Sequence, residues 1–470
     1  MPEDAAPVAV HGLTRQVSDF VVSARLADVP LTVQKLAKRS ILDGLGLAVA
    51  GSRSQGARIV QAEVASYESS VREATLLGTD LRAPARFAAF ANGVAIHADD
   101  YDDTQLAAAV DRVYGLLTHP TAPVLPPVLA IGQRKKLDGA AVLTAYLVGV
   151  EVATKICEAI DPRHYDAGFH STGTAGTIGA GAAASRALGL SAEQTAIALA
   201  ISASQAAGLR ENFGSMTKPF HAGRAADSGV LAADLAERGF TAAPNILEAK
   251  RGFFNAAGGG YDPLAIEGRL GKPWTFEEPG ISIKPYPSGS LTHPGMGAFY
   301  SLILREDLRA DQVKRIVVGT NRHMPNALIH HQPHDELQAK FSMEFCLAIL
   351  LLERKAGLAQ FTDEVVSRRD VKEVIGLVDF DVDPQAEAAG YNKMTTRITV
   401  EMRDGRKLTT SAAFGKGSPQ NPMSDDELIE KFLGCLEWAG IDRAVGMDVA
   451  QQVMALEQLP LIDSLIAPLS

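Results

Sequence analysis

The sequence has few cysteines and few aromatic residues, and it lacks clusters of basic residues and long apolar runs. Its 470 residues include three cysteines, Cys157, Cys346 and Cys435, each within an apolar stretch. An odd number at such wide spacing gives neither a disulfide framework nor the ligand spacing of a structural zinc site. We therefore expect buried free thiols and a reducing compartment, with the cytoplasm as the default location.

Charge and hydropathy disfavour two further classes of protein. The formal net charge is −10, and the 45 basic residues form no run along the chain. A general role in binding nucleic acid or a membrane surface is therefore not expected. No apolar run approaches the roughly 18 residues that a membrane span needs, and residues 1–12 lack the apolar core of a secretion signal. Because the overall field is negative, an anionic substrate must be bound by local cations.

The first part of the chain, from about residue 14 to residue 270, is rich in alanine and carries helical signals. Ser191 with Gln194 forms the capping-box pattern at the start of one helix. Another helix is predicted from Arg224 to Arg238, and it ends at Gly239, a residue type that commonly terminates helices. These signals predict a large helical unit.

The pattern changes near residue 281, where strand signals begin. Residues 315–319 predict a strand because β-branched residues dominate them. Residues 396–401 and 406–412 flank Asp404-Gly405, which is a strong hairpin signal. A small sheet is therefore expected in this part of the chain.

A helical signal returns near the C-terminal end, where Ser424 and Glu427 predict the start of an amphipathic helix. We therefore predict a mainly α fold built from two domains. A large helical domain comprises residues 10–280 and 415–470, and it is interrupted by a smaller α+β lid domain of residues 281–414.

The densest group of acidic residues lies between His97 and Thr104. Four aspartates occur there within five residues: Asp99, Asp100, Asp102 and Asp103. Like charges at this spacing repel one another, and burial of an unpaired carboxylate costs several kcal/mol. A chain carries such a cluster either on a solvated face or in a functional site. The flanking segments are small and apolar, which favours a site.

Two groups of residues could be taken for metal ligands. Residues 99–103 match the DDxxD pattern with which helical terpene synthases hold Mg²⁺. Those enzymes also need a second metal motif and an aromatic cavity, whereas this chain has no second motif and 6% aromatic residues. The other group is three histidines in a polar loop: His330, His331 and His334. We expect these histidines to be surface residues and predict no metal site.

Three residues elsewhere are unusual because they lie in apolar surroundings. His170 precedes a helix of glycine and alanine, where a buried imidazole needs a polar partner. The glycines of that helix do not fit the dinucleotide-binding fingerprint and instead predict close helix packing. Lys218 and Lys284 lie in apolar, turn-rich segments, where an ammonium group is costly unless it meets an anion. Either lysine alone could be a surface residue, but together they suggest carboxylate recognition.

Five segments of this kind follow one another in order: residues 97–104, 118–120, 168–173, 214–223 and 284–293. The ordered set resembles the MmgE/PrpD family, and the resemblance covers nearly the whole chain. That family includes 2-methylcitrate dehydratase, cis-aconitate decarboxylase and iminodisuccinate epimerase. The resemblance implies a helical domain built from both ends of the chain, an α+β lid, a homodimer, and no metal or organic cofactor.

The resemblance also implies a set of site residues. The positions that match the decarboxylase pattern are Asp100, Thr104, His119, His170, Lys218, Lys284 and His293. The chemistry of the family removes a proton from carbon beside a carboxylate, so the site needs a base and cations. The resemblance implies that His119 and His170 act as acid and base, that the two lysines bind carboxylates, and that Asp100 and Thr104 orient the site. A lysine is an alternative base, because burial lowers the pKa of an ammonium group. His97 is expected to stabilise the acidic segment.

Two features depart from the decarboxylase pattern. The loop between Thr104 and His119 is longer, which predicts a different pocket mouth. Phe345 stands where the decarboxylase has an active-site tyrosine, and a phenyl ring cannot transfer a proton. We therefore expect a histidine or Tyr286 to supply that proton, and we place Tyr286 with His293 among the substrate-binding residues.

Together these patterns predict a cofactor-independent lyase that dehydrates or decarboxylates a small di- or tricarboxylate. The segment Asn212–Pro219 is closer to the epimerase branch, so an epimerase of an iminodisuccinate-like dicarboxylate is the first alternative. A non-catalytic carboxylate-binding protein is the second, because the tyrosine is missing. Retention of both lysines and both histidines argues against the second alternative. The expected partners are the carboxylate and a second copy of the chain, without nucleic acid or membrane.

Overall fold

A computed structural model describes residues 12–106 and 118–470, and along these residues the chain is mainly helical. The helices before residue 240 are α1 (Leu13–Ser23), α2 (Leu31–Gly51), α3 (Gln55–Ser66), α4 (Ala85–His97), α5 (Thr121–Lys135), α6 (Gly139–Ala159), α7 (Arg163–Asp166), α8 (Ser171–Leu188), α9 (Ala192–Gln205) and α10 (Thr217–Glu237). The later helices are α11 (His293–Glu306), α12 (His323–Ala327), α13 (Glu336–Ala339), α14 (Met343–Glu353), α15 (Asp363–Ser367), α16 (Arg369–Ile375), α17 (Pro384–Ala388), α18 (Asp425–Ala439), α19 (Arg443–Met454) and α20 (Asp463–Ile466). The mainly α fold predicted from the sequence is confirmed.

Within residues 12–106 and 118–470, six strands form two sheets: β1 (Ala74–Thr75), β2 (Arg82–Ala83), β3 (Val313–Thr320), β4 (Val378–Val382), β5 (Thr396–Met402) and β6 (Lys407–Ala412). The first two strands pair only with each other. The other four form a sheet in the order β4-β3-β5-β6, in which β3 and β4 are parallel. Strands β5 and β6 are antiparallel, with Glu401 opposite Lys407, and Gly405 takes a φ of 91° in the turn between them. The predicted strand and hairpin are therefore confirmed.

The hydrophobic residues gather into several cores, and the largest joins the two ends of the chain. Helix α2 packs against α18, and a Cβ atom at Gly46 would lie 2.8 Å from the ring of Phe432. A second core lies between α11, α14 and strands β3 and β5, within residues 296–402. The predicted domain boundaries near residues 281 and 415 stay predictions. Residues 10 and 11, within the first predicted domain, lie outside the described residues.

Helix α6 corrects the expectation that no apolar segment is long enough to span a membrane. It has 21 residues, and a stretch of 18 consecutive residues within it has a mean hydropathy of 1.6. However, 89% of that stretch is buried inside the protein. The helix also contains the ion pair between Lys155 and Glu158, which are 2.9 Å apart. Helix α6 is therefore a core helix, packed against α8 where a Cβ atom at Gly179 would lie 2.5 Å from Ala153.

Helix α10 begins seven residues earlier than the sequence predicts, at Thr217 instead of Arg224. Gly223 lies inside this helix, where glycine is otherwise destabilising. The structure gives it a role, since a Cβ atom there would lie 2.5 Å from the carbonyl oxygen of Phe90 on α4. Gly223 thus permits close helix packing, and Lys218 lies in the first turn of α10 instead of before the helix.

Candidate active site

A cavity of about 420 Å³ lies where the acidic segment meets α8, α10 and the turn before α11. Five of the predicted site residues line this cavity: Asp100, His119, His170, Lys218 and Lys284. All five are at most 4% exposed, so any charge among them needs a partner inside the protein. The fold therefore brings together residues that are up to 184 positions apart along the chain.

Asp100 holds the two lysines together at the wall of this cavity. Its two carboxylate oxygens accept hydrogen bonds from Lys218 Nζ and, at 2.9 Å, from Lys284 Nζ. Burial alone would raise the pKa of Asp100, but the two ammonium groups outweigh burial and hold it well below its usual range. Asp100 also has a φ of 48°, a strained value for a residue with a side chain. Lys284 stabilises this conformation by donating a second hydrogen bond, 2.7 Å long, to the Asp100 carbonyl oxygen.

His97 links Lys218 to the next carboxylate, Asp102. The Nδ1 atom of His97 lies 2.9 Å from Asp102 Oδ2, and its Nε2 atom lies 2.9 Å from Lys218 Nζ. Because an ammonium group can only donate, Nε2 must accept, so the proton of His97 is on Nδ1. Burial lowers the pKa of His97 to about 3, which agrees with a neutral ring. His97 is thus a buried, hydrogen-bonded partner of the acidic segment, and its contribution to stability stays a prediction.

His119 lies between two of the four carboxylates of the acidic segment, Asp100 and Asp102. Its backbone N–H donates to Thr172 Oγ1 at 3.1 Å, which attaches it to α8. Its Nε2 atom lies 3.9 Å from Asp100 Oδ1, and its Nδ1 atom lies 3.3 Å from Asp102 Oδ1, outside hydrogen-bonding geometry. Burial lowers the pKa of His119, although Asp102 opposes the shift. This imidazole is therefore neutral and can accept a proton.

His170 occupies the N-cap position of α8 and faces a histidine that the sequence did not single out. Its Nδ1 atom lies 3.1 Å from Nδ1 of His221 on α10. One of these two nitrogen atoms must carry a proton and the other must accept it. Burial holds the pKa of His170 well below its usual range, and the positive charge of Lys218 lowers it further. This ring is therefore also neutral.

Comparison with known proteins identifies the family. Residues 15–264 match the MmgE/PrpD N-terminal domain, and residues 286–452 match the MmgE/PrpD C-terminal domain. The chain belongs to the MmgE/PrpD family. Cis-aconitate decarboxylase of Homo sapiens is 29% identical over 435 residues, which cover 90% of this chain and 87% of that protein. Cis-aconitate decarboxylase of Aspergillus terreus is 27% identical over 497 residues, with coverage of 98% and 97%. The chain is accordingly an enzyme of the lyase class.

Two predicted residues of this MmgE/PrpD enzyme lie beside the cavity instead of lining it. Thr104 Oγ1 lies 3.2 Å from Oγ of Ser290, which does line it. His293 lines a neighbouring cavity of about 250 Å³, which shares Lys284 and Ser290 with the first. The Nε2 atom of His293 donates to the Ser288 carbonyl oxygen at 3.2 Å. The longer loop that was predicted to change the mouth falls mostly on residues 107–117, which lie outside the described residues.

The replacement proton donor, a histidine or Tyr286, stays a prediction. Tyr286 lines neither cavity, since its ring packs against the second core and lies 5.6 Å from the ring of His293. Phe345 is fully buried in the same core, 5.2 Å from Phe361. Two other tyrosines, Tyr165 and Tyr391, line the larger cavity. Spacing along the chain could not find them, because they come from segments that matched no family motif.

The three carboxylates of the DDxxD pattern point to three different partners. Asp99 pairs with Lys340 at 3.1 Å, Asp100 binds the two lysines described above, and Asp103 accepts from Thr121 Oγ1 at 2.6 Å. They therefore do not converge on one point, as Mg²⁺ ligands must. Of the three loop histidines, His331 and His334 are exposed and His330 is half-buried, so surface exposure is confirmed for two of them.

One buried group does have the spacing of a metal site, with candidate ligand atoms within 4.8 Å of one another: His97, Asp100, Asp102 and His119. Lys218 already binds both His97 and Asp100 with its ammonium group, so a divalent ion there would meet a fixed positive charge. We therefore expect activity to survive exhaustive dialysis against EDTA. Loss of turnover that Mg²⁺ restores would contradict this prediction and favour a metal-dependent reaction.

The burial of His293 can be tested, because it should make the free energy of unfolding depend on pH. Burial lowers its pKa to about 3, so its contribution to stability is complete above pH 6.5 and is lost as the pH falls. His293→Gln retains a donor for the Ser288 carbonyl oxygen and removes the titrating group. We expect the variant to lose about 2 kcal/mol less unfolding free energy than the wild type between pH 6.5 and 4.5. Urea unfolding at several pH values measures this difference. The exposed His334→Gln variant is the control and should follow the wild type, whereas identical slopes for His293→Gln would contradict the prediction.

Proposed function

We propose that this chain is a cofactor-independent lyase that acts on a small di- or tricarboxylate by dehydration or decarboxylation. The observation that carries the proposal is the buried group of Asp100, Lys218 and Lys284, with two neutral histidines on the same cavity. The relatives that align over most of their length are cis-aconitate decarboxylases. This similarity supports a tricarboxylate of the size of cis-aconitate as the first candidate substrate.

In the proposed reaction, the two lysines bind the carboxylate next to the reacting carbon. Each ammonium group has three N–H donors, so it can keep its bond to Asp100 and still bind a substrate oxygen. Negative charge builds up on that carboxylate when the adjacent carbon loses a proton or CO₂. Two fixed cations in a site shielded from water stabilise this charge more strongly than water does.

The histidines transfer the protons in this proposal. In a dehydration, one imidazole takes the proton from carbon, and the other protonates the departing hydroxyl group so that water leaves. In a decarboxylation, the electrons of the broken C–C bond stay on the substrate, and an imidazole supplies the proton that replaces CO₂. Both rings are neutral by themselves, and an anionic substrate beside them would raise their pKa toward the working range.

Incubation with a panel of di- and tricarboxylates in D₂O, followed by NMR, tests the proposal, because every reaction of this kind changes a carbon-bound proton or the carbon skeleton. A new alkene signal or loss of CO₂ would support the lyase. Deuterium at a stereocentre with an unchanged carbon skeleton would favour the epimerase that the sequence left as an alternative. The absence of any reaction or exchange would favour a carboxylate-binding protein and overturn the proposal. A homodimer and a cytoplasmic location stay predictions.

A further inference from the structure

One cation on the cavity is not part of the matched residue set. Arg210 lines the cavity together with Lys218 and Lys284. Both lysines have a carboxylate partner in Asp100, whereas Arg210 has none in residues 12–106 and 118–470. Its Nε atom is buried without a hydrogen-bond partner among those residues. A guanidinium group in this state is suited to an anion that enters the cavity.

The backbone holds Arg210 beside His170. Phe169 and Leu209 form a β-bridge, and the Arg210 N–H donates to the Gly168 carbonyl oxygen at 2.8 Å. The guanidinium Cζ atom lies 3.8 Å from the ring centroid of Tyr165, and one amino group, Nη1, donates to the Tyr165 carbonyl oxygen at 3.0 Å. Stacking and this one hydrogen bond orient the planar group before any ligand binds.

Phe213 lies close both to this guanidinium group and to residues of the proposed reacting centre. The centroid of its ring lies 5.9 Å from Arg210 Cζ and 5.4 Å from Lys218 Nζ. It lies 5.0 Å from the ring centroid of His170. Arg210, Lys218 and His170 therefore all lie near the same aromatic ring, and all three line the same cavity.

We propose that Arg210 binds a second, non-reacting carboxylate of the substrate. It would thereby select molecules that carry a carboxylate remote from the one held by the two lysines. The inference rests on the proposed function and adds to it the residue that binds the second carboxylate. Asp166 also lines the cavity, and its carboxylate disfavours an anion beside it, whereas the guanidinium of Arg210 favours one.

The test uses tricarballylate, a saturated tricarboxylate without a leaving group, and its terminal monoamide, which has the same shape and one charge less. Calorimetric titration of the wild type should give tighter binding of tricarballylate by about 10- to 100-fold, as expected for a charge-assisted hydrogen bond. Arg210→Met should remove most of this preference, and Arg210→Lys should keep part of it. The exposed Arg238→Met variant should retain the full preference.

The outcomes distinguish a failure of the inference from a failure of the proposed function. If Arg210→Met keeps the preference for tricarballylate, or weakens the binding of both compounds equally, the residue only shapes the cavity and the inference is overturned. A wild type that binds both compounds equally well overturns the inference alone. A wild type that binds neither compound overturns the inference together with the proposed function.

Discussion

Replacing His170 by glutamine is expected to lower kcat by roughly 10²–10⁴-fold, the range typical of a general acid or base. The structure gives the physical reason. The ring is buried on the cavity, and its Nδ1 atom faces His221 at 3.1 Å. When Nδ1 donates to His221, Nε2 has a free lone pair and can take a proton; when Nδ1 accepts, Nε2 carries a proton that it can give. A glutamine side chain can hydrogen-bond but cannot transfer a proton in this way.

His119→Gln should have an effect of similar size, and the two variants should be separable by isotope exchange. If one histidine takes the substrate proton and the other serves a later step, only one variant should lose exchange of the carbon-bound proton with D₂O. The matched control is His164→Gln, because His164 is buried and bonded to Ala257 and Thr174 but does not line the cavity. Full activity of His170→Gln would remove this residue from the mechanism.

Replacing Lys218 or Lys284 by alanine is expected to lower kcat/KM and stability together. Loss of a charge-assisted bond to the substrate should cost about 1.5–3 kcal/mol of transition-state stabilisation, or roughly 10- to 100-fold in kcat/KM. In addition, Asp100 would lose one of its two buried cations, and breaking a buried pair costs about 3–5 kcal/mol of unfolding free energy. Steady-state kinetics and urea unfolding of each variant measure the two effects.

A matched lysine separates the effect on catalysis from the effect on stability. Lys155 is buried and pairs with Glu158 at 2.9 Å, and neither residue lines the cavity. Lys155→Ala should therefore lose stability to a similar extent and keep its kcat/KM at temperatures where it stays folded. Unchanged kcat/KM in Lys218→Ala and in Lys284→Ala would show that neither lysine binds the substrate.

Local signals in the sequence were sufficient for many elements. The capping boxes at Ser191 and Ser424 predicted the starts of α9 and α18, because the same two hydrogen bonds form whatever the rest of the chain does. Asp404-Gly405 likewise predicted the turn between β5 and β6. The start of α10 was predicted wrongly. The helix begins at Thr217, and its close packing on α4 at Gly223 is a contact that sequence neighbours do not show.

The sequence by itself determined the family, the mainly α fold and five of the residues on the cavity, because these depend on residue types at given positions along the chain. Only the tertiary structure decided which charges meet. It paired both lysines with Asp100, turned Asp99 and Asp103 toward other partners, and brought Arg210 and His221 beside His170. These contacts join segments that are far apart in the chain, and burial sets their electrostatics. Neither the distances nor the low dielectric of the interior can be read from the order of the residues.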